Sequence, residues 1–155
     1  MDRNKLSHIA DDGRVKMVDV SAKPIMNRKA IATGKIYIEQ KTLDLITKKS
    51  IPKGNVFETA RIAGIQATKK TGEWIPLCHP LPIEFSDVEF EVFSEPKPFI
   101  EIKATAAIQA KTGIEMEALT AVSAAALTIY DMCKAVDKSM TISDIKLIAK
   151  TKSPV

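Results

Sequence analysis

The chain has 155 residues, 45% hydrophobic and 27% charged, the balance of an ordinary soluble domain, which argues against disordered, collagen-like and membrane-spanning classes. Lys and Arg number 23 against 19 Asp and Glu, a formal net charge of +4; this suits a small phosphate-rich ligand and falls well short of a dedicated nucleic-acid binder. One domain of this length can bury roughly 68–70% of the surface its unfolded chain exposes. Cys78 and Cys133, the only cysteines, are no disulfide scaffold; with no signal-peptide pattern at the N-terminus they read as reduced thiols in a cytoplasmic protein.

Residues 1–16 are mostly polar and lack sustained periodicity, the pattern of a flexible N-terminal arm preceding a single domain over 17–155. From Lys29 to Glu39, Ala30, Ala32, Gly34, Ile36 and Ile38 alternate with polar neighbours, which predicts a half-buried strand. A short helix is expected from about Lys41 to Lys48, then a loop at Ser50–Gly54. Asn55 can cap the next helix while Glu58 reaches back, with Val56, Ala60, Ala63 and Ala67 on one face and Gly72 as its stop. Val88, Phe90 and Val92 predict a strand, Ser94–Pro98 a turn, and Ile100, Ile102, Ala104, Ala106 and Ile108 its antiparallel partner. A long helix follows from about Ile114 to Val136, and Met140–Lys150 is a last strand.

This order matches the split β-α-β unit of an α+β, ferredoxin-like fold, an antiparallel sheet with helices on one face. Within the long helix, Ala118–Tyr130 carries no charge around its circumference and so must be buried on all sides. Its thirteen residues are too few to span a bilayer, which needs about 20. One layer of sheet covers one side only, so a second subunit is expected on the other, in a symmetric oligomer, unless the first helices of the same chain wrap it.

Three features can carry chemistry. Ile75–Pro82 packs three prolines and one of the two histidines into a stretch too irregular for strand or helix; it reads either as a rigid loop presenting His79 or as a stiffened connection with a structural histidine. Neighbouring Cys78 lacks a metal-ligand pattern, so zinc would need distant partners such as His8 or Cys133, and no metal site is assigned. At the end of the long helix Asp131 and Lys134 are neighbours on the surface, either a simple ion pair or, if partly desolvated, an acid–base pair. Lys53-Gly54 before the Asn55 helix and Lys111-Thr112-Gly113 before the long helix each set a lysine beside helix N–H groups, a setting for an anion to which Arg28, Lys150 and Lys152 could add charge. Neither a P-loop nor a G-x-G-x-x-G is present, which removes ordinary ATPase and dinucleotide readings.

Four runs, Met17–Ser21, Lys53–Ala67, Ile75–Leu81 and Lys111–Ala135, together resemble the cyclic pyranopterin monophosphate synthase (MoaC) family of molybdenum cofactor biosynthesis. The resemblance implies a ferredoxin-like subunit assembled as a homohexamer, a trimer of dimers, with active sites between subunits. It implies a lyase that rebuilds cyclised dihydro-GTP into a pyranopterin and releases diphosphate as a cyclic monophosphate closes. No redox cofactor is required for this, although a divalent ion such as Mg can accompany the triphosphate; nucleic acid and membrane are not expected partners. By matching motifs, Asp131, Lys134 and Lys53 become the catalytic candidates. Leu77, Cys78 and His79, with Glu115, Met116 and Glu117, become substrate contacts, and Arg28 and Lys150 anion contacts. Two rivals stand beside this reading: a catalytically silent nucleotide-binding module, and an RNA-binding domain of the same strand order using Phe90, Phe93 and Phe99.

Overall fold

The computed structural model describes residues 9–10 and 12–155. The elements follow as β1 (Met26–Tyr37), α1 (Gln40–Thr47), α2 (Val56–Trp74), β2 (Phe85–Phe93), β3 (Phe99–Ala110), α3 (Glu115–Cys133) and β4 (Thr141–Pro154). The strands form one sheet in the order β2-β3-β1-β4, with every neighbouring pair antiparallel. β1 and β2 are therefore parallel with β3 inserted between them, and β3 and β4 are parallel around β1.

Period-two alternation decides which face is buried. Ala30, Ala32 and Ile36 of β1 lie in register with Ala106, Ala104 and Ile100 of β3, all of them buried, and α3 covers them with Val122 against Gly34, while Ala121 and Ala125 of α3 meet Gly64 of α2. A Cβ at Gly34 would sit 2.6 Å from Val122 Cγ1 and 3.0 Å from Ile145 Cγ1, inside van der Waals contact, so only glycine fits.

Several boundaries differ from those the sequence suggests. β1 begins at Met26 rather than Lys29 and β4 continues to Pro154, because each edge finds a partner across the sheet, Met26 opposite Pro154. α2 passes through Gly72 and ends at Trp74, where Ile75 N–H donates to Thr71 O. Gly72 serves close approach instead: a Cβ there would lie 3.0 Å from Pro80 Cα. Asn55 does accept from Glu58 N–H at 3.2 Å, but the Glu58 carboxylate turns to Arg61 at 3.5 Å, so only half of the capping box forms. On the buried face of α2 Gly64 takes the place expected of Ala63, which is half-buried.

The charge-free stretch of α3, Ala118–Tyr130, is not covered all round by its own chain. Leu127 is 61% exposed, and Leu119, Ser123, Ala124 and Thr128 are half-buried on the same side. Among the described residues no helix is long and apolar enough to cross a membrane.

Candidate active site

The sheet register and the two ends of α3 gather the candidate residues into two groups. The first lies at the C-terminal end. The α1–α2 loop bends back through Gly54 (φ +105°), whose N–H donates to Ile51 O, and this carries Lys53 across to α3. Lys53 Nζ donates to Asp131 Oδ2 at 2.9 Å and to the Asp131 carbonyl at 2.8 Å, while Lys134 Nζ lies 2.7 Å from Oδ1. Hydrogen bonds from Lys134 and Lys53 hold the Asp131 carboxyl down at about 2; in return, donating to Asp131 raises Lys134 above the ordinary lysine value. Partial desolvation of this pair does not occur within the subunit: Asp131 and Lys134 are 57% and 55% exposed. The helix also stops three residues earlier than expected, at Cys133, so Lys134 is its C-cap rather than an interior residue. Lys53 is engaged by Asp131 and not by the N-terminus of α2.

The second group lies at the N-terminal end of α3. Arg28 of β1 stands opposite Lys152 of β4, and Ala30 opposite Lys150, which puts all three cations on the helix side of the sheet. The Arg28 guanidinium is braced by the Ala110 and Lys111 carbonyls, each at 3.0 Å. Lys150 Nζ donates to Glu115 Oε1 at 3.0 Å. Burial pushes the Glu115 carboxyl up, but Lys150 and Arg28 outweigh it and hold the group below its usual range. These residues line a cavity of about 250 Å³ with Gly113 and Ile114.

Through Gly113 and Glu115 this cavity adjoins a second one of about 130 Å³, lined by Leu77, Cys78, His79, Met116 and Glu117. Glu117 is only 3% exposed, and burial raises its carboxyl, as does the neighbouring charge of Glu115. Burial and then Glu117 push the Cys78 thiol up, so it is no thiolate. His79 Nε2 donates to the Val18 carbonyl at 2.9 Å; because a carbonyl can only accept, the proton sits on Nε2 and a neutral ring keeps Nδ1 as an acceptor. Lys111 is turned away from the expected anion site and donates to Ser21 O at 2.7 Å.

A family model described as the MoaC family matches residues 17–153. The chain belongs to the MoaC family. Among its curated relatives, a cyclic pyranopterin monophosphate synthase from Desulforapulum autotrophicum is 54% identical over 146 residues, 94% of this chain and 88% of the relative. One from Desulfitobacterium hafniense is 52% identical over 147 residues, 95% of this chain and 89% of the relative. A molybdenum cofactor biosynthesis bifunctional protein from Chlorobaculum tepidum is also 52% identical, and there the match takes in 46% of the longer relative.

In this MoaC-family chain the two groups do not meet. Glu115 and Asp131 are sixteen residues apart on one helix, about 24 Å at the α-helical rise. Among the described residues there is no cluster of three or more metal-ligating side chains. Cys133 is buried at the opposite end of α3 from Cys78 and His79, and its thiol is pushed up to about 11, chiefly by burial; His8 lies outside the described residues. Sequence reasoning missed the Val18 carbonyl and Lys111–Ser21, which seat the segment before β1 against His79. A backbone acceptor leaves no composition signal, and only the Met17–Ser21 run hinted that this stretch matters.

Proposed function

We propose that the chain is a lyase that converts cyclised dihydro-GTP to cyclic pyranopterin monophosphate with release of diphosphate, an early step of molybdenum cofactor biosynthesis. The observation that carries this reading is the carboxylate of Asp131 held between two lysines from different elements, in a chain about half identical to synthases along nearly its whole length. Lys134 is charged at neutral pH, and its pairing with Asp131 makes it a weaker acid until substrate takes over part of the Asp131 contact; it then donates protons to ring nitrogen and oxygen as the purine-derived system opens and recloses, with Lys53 the second cation.

Closure of the cyclic phosphate has different needs. A ribose hydroxyl forms a bond to the α-phosphorus as the bond to diphosphate breaks, and negative charge spreads over the leaving oxygens. Arg28, Lys150 and Lys152, beside the N-terminal N–H groups of α3, stabilise that charge. Glu115 occupies Lys150 until a phosphate competes for it. The adjoining notch of Leu77, Cys78, His79, Met116 and Glu117 takes the ring system. No redox cofactor enters, and a divalent ion such as Mg can accompany the triphosphate.

Two groups about 24 Å apart on one helix cannot act on one substrate, so the site is completed between subunits. The uncovered side of α3 around Leu127 is the surface that pairs them, within a ferredoxin-like homohexamer built as a trimer of dimers in the cytoplasm. An RNA platform is not favoured. The open sheet face mixes Asp87, Glu89, Glu91 and Glu101 with Lys29, Lys35 and Lys103, and Lys103 is paired with Glu89 at 3.0 Å, so the face offers no continuous basic track; Phe93 and Phe99 stack on each other with centroids 4.6 Å apart, and Phe90 turns inward to Phe57 at 5.1 Å.

The deciding experiment incubates the protein with cyclised dihydro-GTP and follows diphosphate and pterin by mass spectrometry. Product is expected from wild type and lost in Lys134→Ala. Substrate binding without product would leave a silent nucleotide-binding module, and wild-type-like conversion by Lys134→Ala would remove that residue's role. Light scattering that finds only a 17.0 kDa species would defeat the shared site.

A further inference from the structure

We propose that Asp137 is a positioning residue, the internal clamp that keeps Lys53 aligned with Asp131 at the end of α3. Its importance for turnover rests on the reading of that lysine–carboxylate group as catalytic; its clamping role does not.

Asp137 is 1% exposed, one of few buried carboxylates, and lies outside both groups of site residues. Its own position is tied to α3, because the N–H groups of Val136 and Asp137 both donate to the Cys133 carbonyl. Its carboxylate then holds two other segments. Oδ2 accepts from Glu39 N–H at 2.8 Å, and Oδ1 accepts from Ser139 N–H and Ser139 Oγ, each at 2.8 Å. Burial alone would push this carboxyl up, but the Glu39 and Ser139 donors outweigh it and keep it ionised.

Glu39 is the N-cap of α1 and makes no side-chain cap of its own. From that pinned end the helix runs about 12 Å to a tightly bonded exit, where Lys48, Lys49 and Ser50 N–H groups donate to Asp44, Ile46 and Leu45 carbonyls. Ile51 then anchors the loop in the core, and Lys53 follows. α1 is thus a short rod attached to the end of α3 at two points, by Asp137 inside and by Lys53 outside. The outer attachment is exposed and must be exchanged for substrate contacts if the lysines are to work. The inner one need not change, so it preserves the arrangement while the outer bonds open. A turn alone would be served by a neutral side chain. An ionised, desolvated group is costly unless fully bonded, and here its bonds join the two elements that carry the lysines.

The charged and titratable groups around the clamp are Lys41 and Glu39 from the start of α1, Cys133 on α3, and Lys53 beyond it. The readout is the titration of the Asp131 carboxyl, followed by carbon NMR in the full-length protein. In Asp137→Asn, Lys53 drifts and the Asp131 value, about 2 in wild type, moves up by the same amount as in a Lys53→Ala control. A second variant approaches from the other side. Glu39 has φ −73°, which proline adopts without strain; Glu39→Pro removes the N–H donor together with the carboxylate contacts to Lys41 and Ser139, Glu39→Ala removes only the carboxylate contacts, and the proline variant alone is expected to give the same shift even if Asp137→Asn fails to fold. In Asp137→Asn and Glu39→Pro kcat falls ~10- to 100-fold with KM little changed, the cost of a misplaced catalytic group. A folded Asp137→Asn or Glu39→Pro variant whose Asp131 titration matches wild type overturns the clamp. A shifted titration with unchanged kcat upholds the clamp and overturns the catalytic reading of Lys53.

Discussion

Lys53 and Asp131, 78 residues apart in sequence, meet twice, through the carboxylate at 2.9 Å and through the backbone carbonyl at 2.8 Å. With Lys134 on the other oxygen, the carboxyl titrates at about 2, below its ordinary 3.8. The contribution of this group to stability is therefore complete above about pH 4 and is lost as the pH falls toward 2. Because the charges are exposed, salt screens them. Urea midpoints of wild type and Asp131→Asn are expected to differ slightly near neutral pH and low salt, and to converge both at about pH 2 and in about 1 M salt. A difference that persists in acid would place the effect elsewhere.

Replacing Lys134 by arginine separates charge from proton transfer. A guanidinium keeps the ion pair with Asp131 but does not release its proton in the accessible pH range. Lys134→Arg is expected to fold and bind substrate like wild type while turnover drops by about 10²- to 10⁴-fold, the range for loss of a general acid–base group. Single-turnover kinetics with mass detection separates the two steps; near-normal turnover would reduce Lys134 to an electrostatic contact.

Alternation along β1 and β3 made the buried sheet face legible, since Ala30, Ala32, Ile36, Ile100 and Ile102 are all in the core. The charge-free run of α3 announced a largely apolar helix, and its core side is buried while Leu127 faces outward. What sequence could not supply was long-range. Arg28, Lys150 and Lys152 converge only because β4 pairs with β1 through two register shifts, and no local pattern encodes those. Gly72 looked like a helix stop because glycine has that use most often; here a neighbouring chain segment needed the space. Asp137 reads as an ordinary turn residue until Glu39, 98 positions earlier, is found on its carboxylate.

Gly34 gives a direct test of how closely α3 is set against the sheet. A methyl group there would press on Val122 Cγ1, which is held by the surrounding core, and on Ile145 Cγ1 at the exposed edge. Gly34→Ala is expected to cost about 1–3 kcal/mol, as for overpacking of a tight interior. Adding Val122→Ala vacates the nearest contact, so the double variant should be more stable than the sum of the two single losses predicts. Strict additivity in urea denaturation would mean that the helix shifts to accommodate the methyl.

The His79 ring offers a spectroscopic check on the segment before β1. With Val18 O accepting at 2.9 Å, nitrogen NMR of the neutral ring should find Nε2 protonated and Nδ1 bare. His79→Gln can still donate toward Val18 and is expected to retain the seating of residues 17–21. His79→Asn is too short to do so and should release the segment, seen as faster amide exchange there. The opposite tautomer would mean that Val18 does not orient this ring in solution.

The strongest test of a shared site uses two inactive variants. Lys134→Ala removes a group at the C-terminal end of α3, and Arg28→Ala removes one at the other end, about 24 Å away. If each site draws one end from each of two subunits, a mixed pair carries both lesions in one site and none in the other. Random mixing makes half the pairs mixed, so co-refolded protein should recover about a quarter of wild-type activity, although neither parent has any. A site contained in one chain predicts no recovery, because every subunit then carries its own lesion whatever its neighbour. Equal amounts of the two variants, refolded together and assayed for diphosphate release, distinguish these outcomes, and the same mixture left unexchanged serves as the zero.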